Sequence, residues 1–280
     1  MSSPLRGTCT PCLLLLLCCT AAAAESPAAA RLAADARAAR PLVAHVVVAL
    51  CDNVHQGIVK VPKALGDGQT PRTNLYWGAR YGLKTFLGRD GGWTPVAHEG
   101  AAPKGVLERI VLTRRVSKAA AYVVADAWDG RQIRRTVERF LHMAAGRHPE
   151  TLRIRQGDAT LAIPAGGAAH LVAYVGHNGL MDFAAPAVPE PASQASPRAA
   201  VVLACKSTPY FGPLLARAHA EPLVLTTGFM APEAYTLDAI LKAWLAGATP
   251  QAARDAAARA YHRYQKCGLR GARRLFGLQP

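Results

Sequence analysis

Beyond residue 24 the chain keeps only three of its seven cysteines, Cys51, Cys205 and Cys267. None sits in a Cys-x-x-Cys pair, and none of the nine histidines stands four residues from another. Zinc-type sites need such clustered ligands, so the sequence gives no reason to expect a metal, and nothing in it calls for a cofactor. Acidic side chains are scarce as well, 18 against 33 Lys and Arg, for a net charge of +15. That surplus suits peripheral contact with an anionic envelope surface. The arginines are scattered, as in Arg114-Arg115, Arg134-Arg135 and Arg273-Arg274, without the interleaved aromatics of a nucleic-acid groove. Nucleic acid is therefore not an expected partner. No internal repeat is present.

The N-terminus reads as a secretory signal peptide over residues 1–24. Arg6 supplies the positive region, Leu13 to Leu17 the apolar core, and Ala22-Ala23-Ala24 the small residues before a cut at Glu25. The apolar core is too short to span a bilayer. Export to the periplasm or the medium is the expected localisation. A lipoprotein fits less well, because Leu17 or Cys18 stands where a lipobox carries a small residue. Removal of the leader leaves an odd number of thiols in an oxidising compartment. Either Cys51 pairs with Cys267 and spares Cys205, or all three are buried thiols.

Residues 25–40, rich in Ala and Arg, read as a loosely held leader or a short helix, and 41–280 as a single domain. Five short apolar runs read as buried strands: 42–50, 121–127, 170–176, 199–204 and 222–227. Helices are expected over 74–87, 132–145, 212–219, 232–247 and 250–266, and a hairpin or strand over 151–163. The Pro- and Ser-rich stretch 184–198 reads as an exposed loop. Strands alternating with helices predict an α/β fold with a mostly parallel central sheet and helices on both faces. Such a sheet carries its chemistry at the carboxyl ends of its strands.

Two of those ends carry reactive groups. One apolar run stops at His177-Asn178-Gly179, the other at Cys205-Lys206-Ser207. A nucleophilic thiol needs an imidazole to handle protons, and backbone N–H groups to hold the oxyanion. His177 and Cys205 fit those roles, and Lys206 adds positive potential next to the sulfur.

Strand-His-Asn-Gly followed by strand-Ala-Cys resembles the caspase/hemoglobinase-fold cysteine peptidases, the group of caspases, legumains, gingipains and clostripain. Val202 to Phe211 (VLACKSTPYF) is most similar to the legumain nucleophile block. The resemblance implies a three-layer caspase-like fold and a hydrolase, a thiol protease. Cys205 would attack a peptide carbonyl to form a thioester, and His177 would protonate the departing amine. It also implies an oxyanion site built from the Cys205 N–H and the N–H of the Gly after the His. Here Asn178 intervenes, so the second donor is the Gly179 N–H, the Asn178 N–H or the Asn178 side-chain amide. That departure also admits a catalytically inactive caspase-like module that binds a peptide or an envelope partner.

Six further positions are candidates for substrate contact, and three of them have a plainer alternative. Asp52, Asn53 and His55 follow the first strand, with His55-Gln56 echoing a legumain pocket block; Asp52 and Asn53 equally suit loop capping. Asp126 and Asp129 flank Trp128 after the second strand, where either suits a basic substrate group, while Asp129-Gly130 also suits a helix cap. Asp182, close behind His177, is a specificity candidate. The substrate expected from all of this is a peptide or protein.

Overall fold

The computed structural model describes residues 26–157 and 159–279. Residues 1–24, read above as a signal peptide, lie outside the described residues. In chain order the elements are α1 (Pro27–Arg37), β1 (Leu42–Ala49), α2 (Leu83–Arg89), β2 (Thr94–Val96), β3 (His98–Glu99), β4 (Val106–Val116), β5 (Ala119–Trp128), α3 (Ile133–Ala144), β6 (Pro149–Gln156) and β7 (Ala159–Gly166). Then follow β8 (Leu171–Val175), β9 (Ala199–Leu203), α4 (Ser207–Arg217), β10 (Glu221–Val224), α5 (Ala234–Leu245), α6 (Pro250–Gln265) and α7 (Leu269–Leu275).

A seven-stranded sheet runs in the order β10-β9-β8-β1-β5-β4-β2. Its five strands from β10 to β5 are mutually parallel, and they are the five runs expected from sequence. The antiparallel β4 and β2 extend one edge. The fold is thus α/β with a mostly parallel, mixed sheet. Every residue of β1 is buried, which is why that strand reads as an apolar run interrupted only by His45.

Alternation along β1 divides the core in two. Leu42, Ala44, Val46 and Val48 belong to a cluster with residues of α1, α2, α5, α6 and α7. Val43, Val47 and Ala49 belong to another with residues of α3, α4 and the β6–β7 hairpin. That hairpin forms a second sheet in the order β3-β6-β7, so the expected hairpin over 151–163 is present.

Several local expectations differ. Residues 74–82 form turns, and only Leu83–Arg89 is helical. The Asn74 side chain explains this by bonding the Cys51 N–H (3.1 Å) and the Cys51 carbonyl (2.8 Å), which ties the segment to the end of β1. Gly78 lies so close to Arg72 that a Cβ would fall 2.1 Å from its carbonyl oxygen, an approach a regular side chain forbids. Of the two readings of residues 25–40 the short helix is observed: α1 is capped by Ser26, its Arg31 donates to three carbonyls, and its Asp35 meets His170 at 2.9 Å. The 184–198 loop ends in the buried Arg198, whose guanidinium donates to the Ala144 carbonyl at the end of α3 (2.7 Å). The helix expected from residue 212 starts earlier, at Ser207, directly behind Cys205. The short α7 carries too few residues to announce itself by periodicity. No helix among the described residues is long and apolar enough to cross a membrane.

Candidate active site

Val175 at the end of β8 is paired with Leu203 at the end of β9, so the two strands deliver His177 and Cys205 to the same rim. Between Val175 and His177 the chain turns at Gly176, with φ of +147°, and a Cβ there would meet the Ala49 carbonyl oxygen at 2.8 Å. Only glycine satisfies both conditions. The signal for this turn sits one residue before the histidine.

The histidine is held from two sides. The Tyr174 hydroxyl donates to the His177 carbonyl (2.6 Å), fixing the backbone. The ring Nε2 meets Asp182 Oδ2 at 2.7 Å, and the same oxygen accepts the Gly57 N–H at 2.9 Å. Asp182 therefore joins the imidazole to the 50–73 loop. Nδ1 has no protein partner among the described residues. The sequence marked Asp182 for specificity; its contacts are those of a residue that orients the ring.

Cys205 occupies the turn between β9 and α4, with Lys206 in the left-handed region (φ 48°) as the helix cap. A compact hydroxyl lock holds that turn. Ser207 donates its hydroxyl to the Val202 carbonyl (3.0 Å) and accepts the Thr226 N–H (2.8 Å), while Thr226 Oγ1 accepts the Ser207 N–H (3.1 Å) and donates to the Ala204 carbonyl. Neither residue was singled out from sequence, because the partners lie on different strands' ends and only folding joins them. The Met230 N–H points at the sulfur from 3.4 Å, and the N-terminus of α4 lies immediately behind it. Both direct positive potential at Sγ, and the Met230 carbonyl, which accepts the thiol hydrogen at 3.5 Å, partly offsets it.

His177 and Cys205 line one cavity of about 510 Å³. The 57–61 segment of the long loop, Leu75 and Tyr76 form one side; residues 229–232 and Tyr261 form another. No Asp, Glu, Lys or Arg lines this cavity among the described residues.

The oxyanion candidates divide. Gly179 N–H donates to the His177 carbonyl (3.1 Å), and the Asn178 side-chain amide donates to the Cys205 carbonyl (2.7 Å). The first bond lies within the His177 turn and the second ties that turn to Cys205, so these two donors are engaged, whereas the Asn178 backbone N–H has no acceptor among the described residues. Asn178 is fully buried, and neither it nor Gly179 lines the cavity. The Cys205 N–H has no acceptor among the described residues.

The other acidic candidates serve the scaffold. Asp52 accepts from the N–H groups of Val54 (2.9 Å) and His55 (3.0 Å), from the His55 ring and from Gln69, a capping role. Asn53 bonds Val61 through both ends of its amide (2.8 and 3.0 Å) and so shapes the loop whose far side walls the cavity. Asp52, Asn53 and His55 do not themselves line it. Asp129 caps the turn leading into α3 through the Arg131 N–H (3.0 Å). Asp126 is wholly buried in an ion pair with Arg109 (2.6 and 2.7 Å) and bonds His45 Nε2 (3.1 Å). Burial opposes its charge, yet the Arg109 hydrogen bonds and His45 outweigh that and hold the carboxyl well below the usual range. It is unavailable to a substrate, and its assignment to a substrate-binding role is corrected.

All three described cysteines are free, which removes the Cys51–Cys267 disulfide. Cys51 is buried, and that burial pushes its thiol up to about 11; Cys267 is exposed and Cys205 partly so. No cluster of metal-ligating side chains occurs among the described residues. No family model, curated protein or solved structure matches the chain.

Proposed function

We propose that this protein is an exported caspase-like cysteine peptidase that cleaves peptide bonds through Cys205 and His177. The observation that carries the reading is the delivery of both side chains, from adjacent parallel strands, to one cavity, with Asp182 holding the imidazole by Nε2. In this reading Sγ attacks the peptide carbonyl carbon, and the oxyanion that forms is held by the Cys205 N–H. His177 Nδ1, the ring nitrogen left free by Asp182, takes the Sγ proton as the sulfur attacks and passes it to the amine that collapse expels. Water then hydrolyses the thioester and restores the thiol. The order of the parallel strands, with the His and Cys strands side by side next to the first strand, supports the caspase-like layout.

A second reading has its own observation. Because the Gly179 N–H and the Asn178 side-chain amide are both engaged internally, only the Asn178 backbone N–H is left as a second oxyanion donor, and Asn178 does not line the cavity, which fits an inactive caspase-like module that binds a peptide or envelope partner.

Brief iodoacetamide treatment separates the two. The peptidase reading expects Cys205 to alkylate faster than the exposed Cys267, and His177→Ala to slow Cys205 selectively. It expects turnover of a peptide library that Cys205→Ala abolishes. Labelling confined to Cys51 or Cys267 defeats it. The module reading expects peptide capture that survives Cys205→Ala, with no turnover.

A further inference from the structure

The cavity beside Cys205 also bears on which bond is cut. Its lining offers no charged partner, so an ionised substrate side chain entering it would lose water without compensation. Its walls are aliphatic, aromatic or thioether groups: Ile58, Val61, Leu75, Met230 and Tyr261 among them. The rim carries the same chemistry to the surface. Val59 is 92% exposed, Phe229 67% and Met181 37%, and all three border this one cavity. Large hydrophobic side chains left in water around a single depression mark a surface that gains by being covered.

The polar groups nearby are engaged elsewhere. Asp182 serves His177 and the Gly57 N–H. The Lys206 ammonium stacks on the outer ring of Phe229 at 4.5 Å and does not line the cavity. Gln265 does line it, but its amide donates to Glu233 (3.0 Å) and to the Tyr235 hydroxyl (2.7 Å).

The position of the thiol sets which substrate residue enters. Met230, whose N–H is 3.4 Å from Sγ, continues directly into the Ala231–Pro232 wall, so the depression opens from the sulfur. During catalysis the acyl half stays bonded to Sγ while the amine half leaves past His177.

Resting on the peptidase reading, we infer that the cavity is the subsite for a large apolar side chain on the acyl side of the scissile bond, of the Leu, Met or Phe class. Charged residues and Asn are disfavoured there.

The test is a panel of tripeptidyl chloromethyl ketones that differ only in the residue next to the warhead: Leu, Phe, Asn, Asp and Arg. Each forms a thioether at Sγ and releases chloride. Alkylation of Cys205, read by intact mass and peptide mapping, should favour Leu and Phe over Asp and Arg by at least about tenfold, since the charged side chains enter without partners. Val59→Glu, at an exposed rim position that does not threaten the fold, should move the panel towards Arg. Equal rates across the panel, or a preference for a charged residue, overturn the subsite. The same tripeptides as plain amides, titrated into Cys205→Ala, keep the two claims apart. Apolar-selective binding with an inert thiol sustains the subsite and defeats the peptidase; rapid alkylation without side-chain selectivity does the reverse. Absence of both defeats both.

Discussion

Replacing Asp126 with Asn tests whether that residue is an internal structural anion or a substrate contact. In the folded chain the Arg109 side chain is only 2% exposed, and its guanidinium is forked onto both oxygens of an Asp126 that is wholly buried. Its third nitrogen reaches Glu150 (2.8 Å), which also accepts from Arg139, so the pair ties the main sheet to the second one. His45 Nδ1 accepts the Gly166 N–H (2.8 Å) and its Nε2 faces Asp126, extending the same tie to β7. Asn preserves the shape and removes the charge. Removing one partner of a buried pair costs about 3–5 kcal/mol, and the survival of Glu150 puts the expectation at the lower end, about 3 kcal/mol. For a chain of this size that corresponds to a fall in Tm of about 6–12 °C. The sign with pH is definite. A carboxyl held below its ordinary value contributes stability that is present above the unfolded carboxylate range and lost as pH falls below it, from about pH 4 downward. Urea titrations of both chains at neutral and acid pH should therefore show a gap that narrows as the solution is acidified. A loss under about 1 kcal/mol at neutral pH, or a gap insensitive to acid, refutes the ion-pair account. Unchanged stability with altered substrate preference would restore Asp126 to the site.

Other expectations follow from the site. Asp182→Asn should slow Cys205 alkylation by apolar chloromethyl ketones by about tenfold, the lower end for one hydrogen bond to a charged group; an unchanged rate across pH 5–9 would show that Asp182 does not orient the ring. Ser207→Ala should lower both stability and Cys205 reactivity, since it leaves the Thr226 N–H without its acceptor at a cost of about 1–3 kcal/mol, and wild-type behaviour in both readouts counts against the hydroxyl lock. In the native chain Cys51 should resist iodoacetamide at neutral pH and react only on unfolding, as a buried thiol pushed up to about 11 requires; non-reducing mass spectrometry should find no Cys51–Cys267 bridge.

The sequence by itself determined the parallel core, because strands buried on both faces are apolar almost throughout, as β1, β5, β8 and β9 are, while the edge strand β10 is legible from its buried end Leu223-Val224. It also placed His177 and Cys205 at strand ends, since the apolar runs stop there. What it left open depends on partners distant in the chain. Asp126 looked like a substrate acid until Arg109 on the neighbouring strand claimed it. Asp182 and Gly57 lie 125 residues apart in sequence, and only the packed loop joins them across His177. Asn178 and Gly179 sit where the resemblance calls for an oxyanion donor, yet the Asn178 side-chain amide and the Gly179 N–H are committed to the carbonyls of Cys205 and His177. Ser207 and Thr226 become a lock only when β9 and β10 lie side by side. Burial follows from local pattern, whereas a polar group's task is set by whichever partner the tertiary structure brings within about 3 Å.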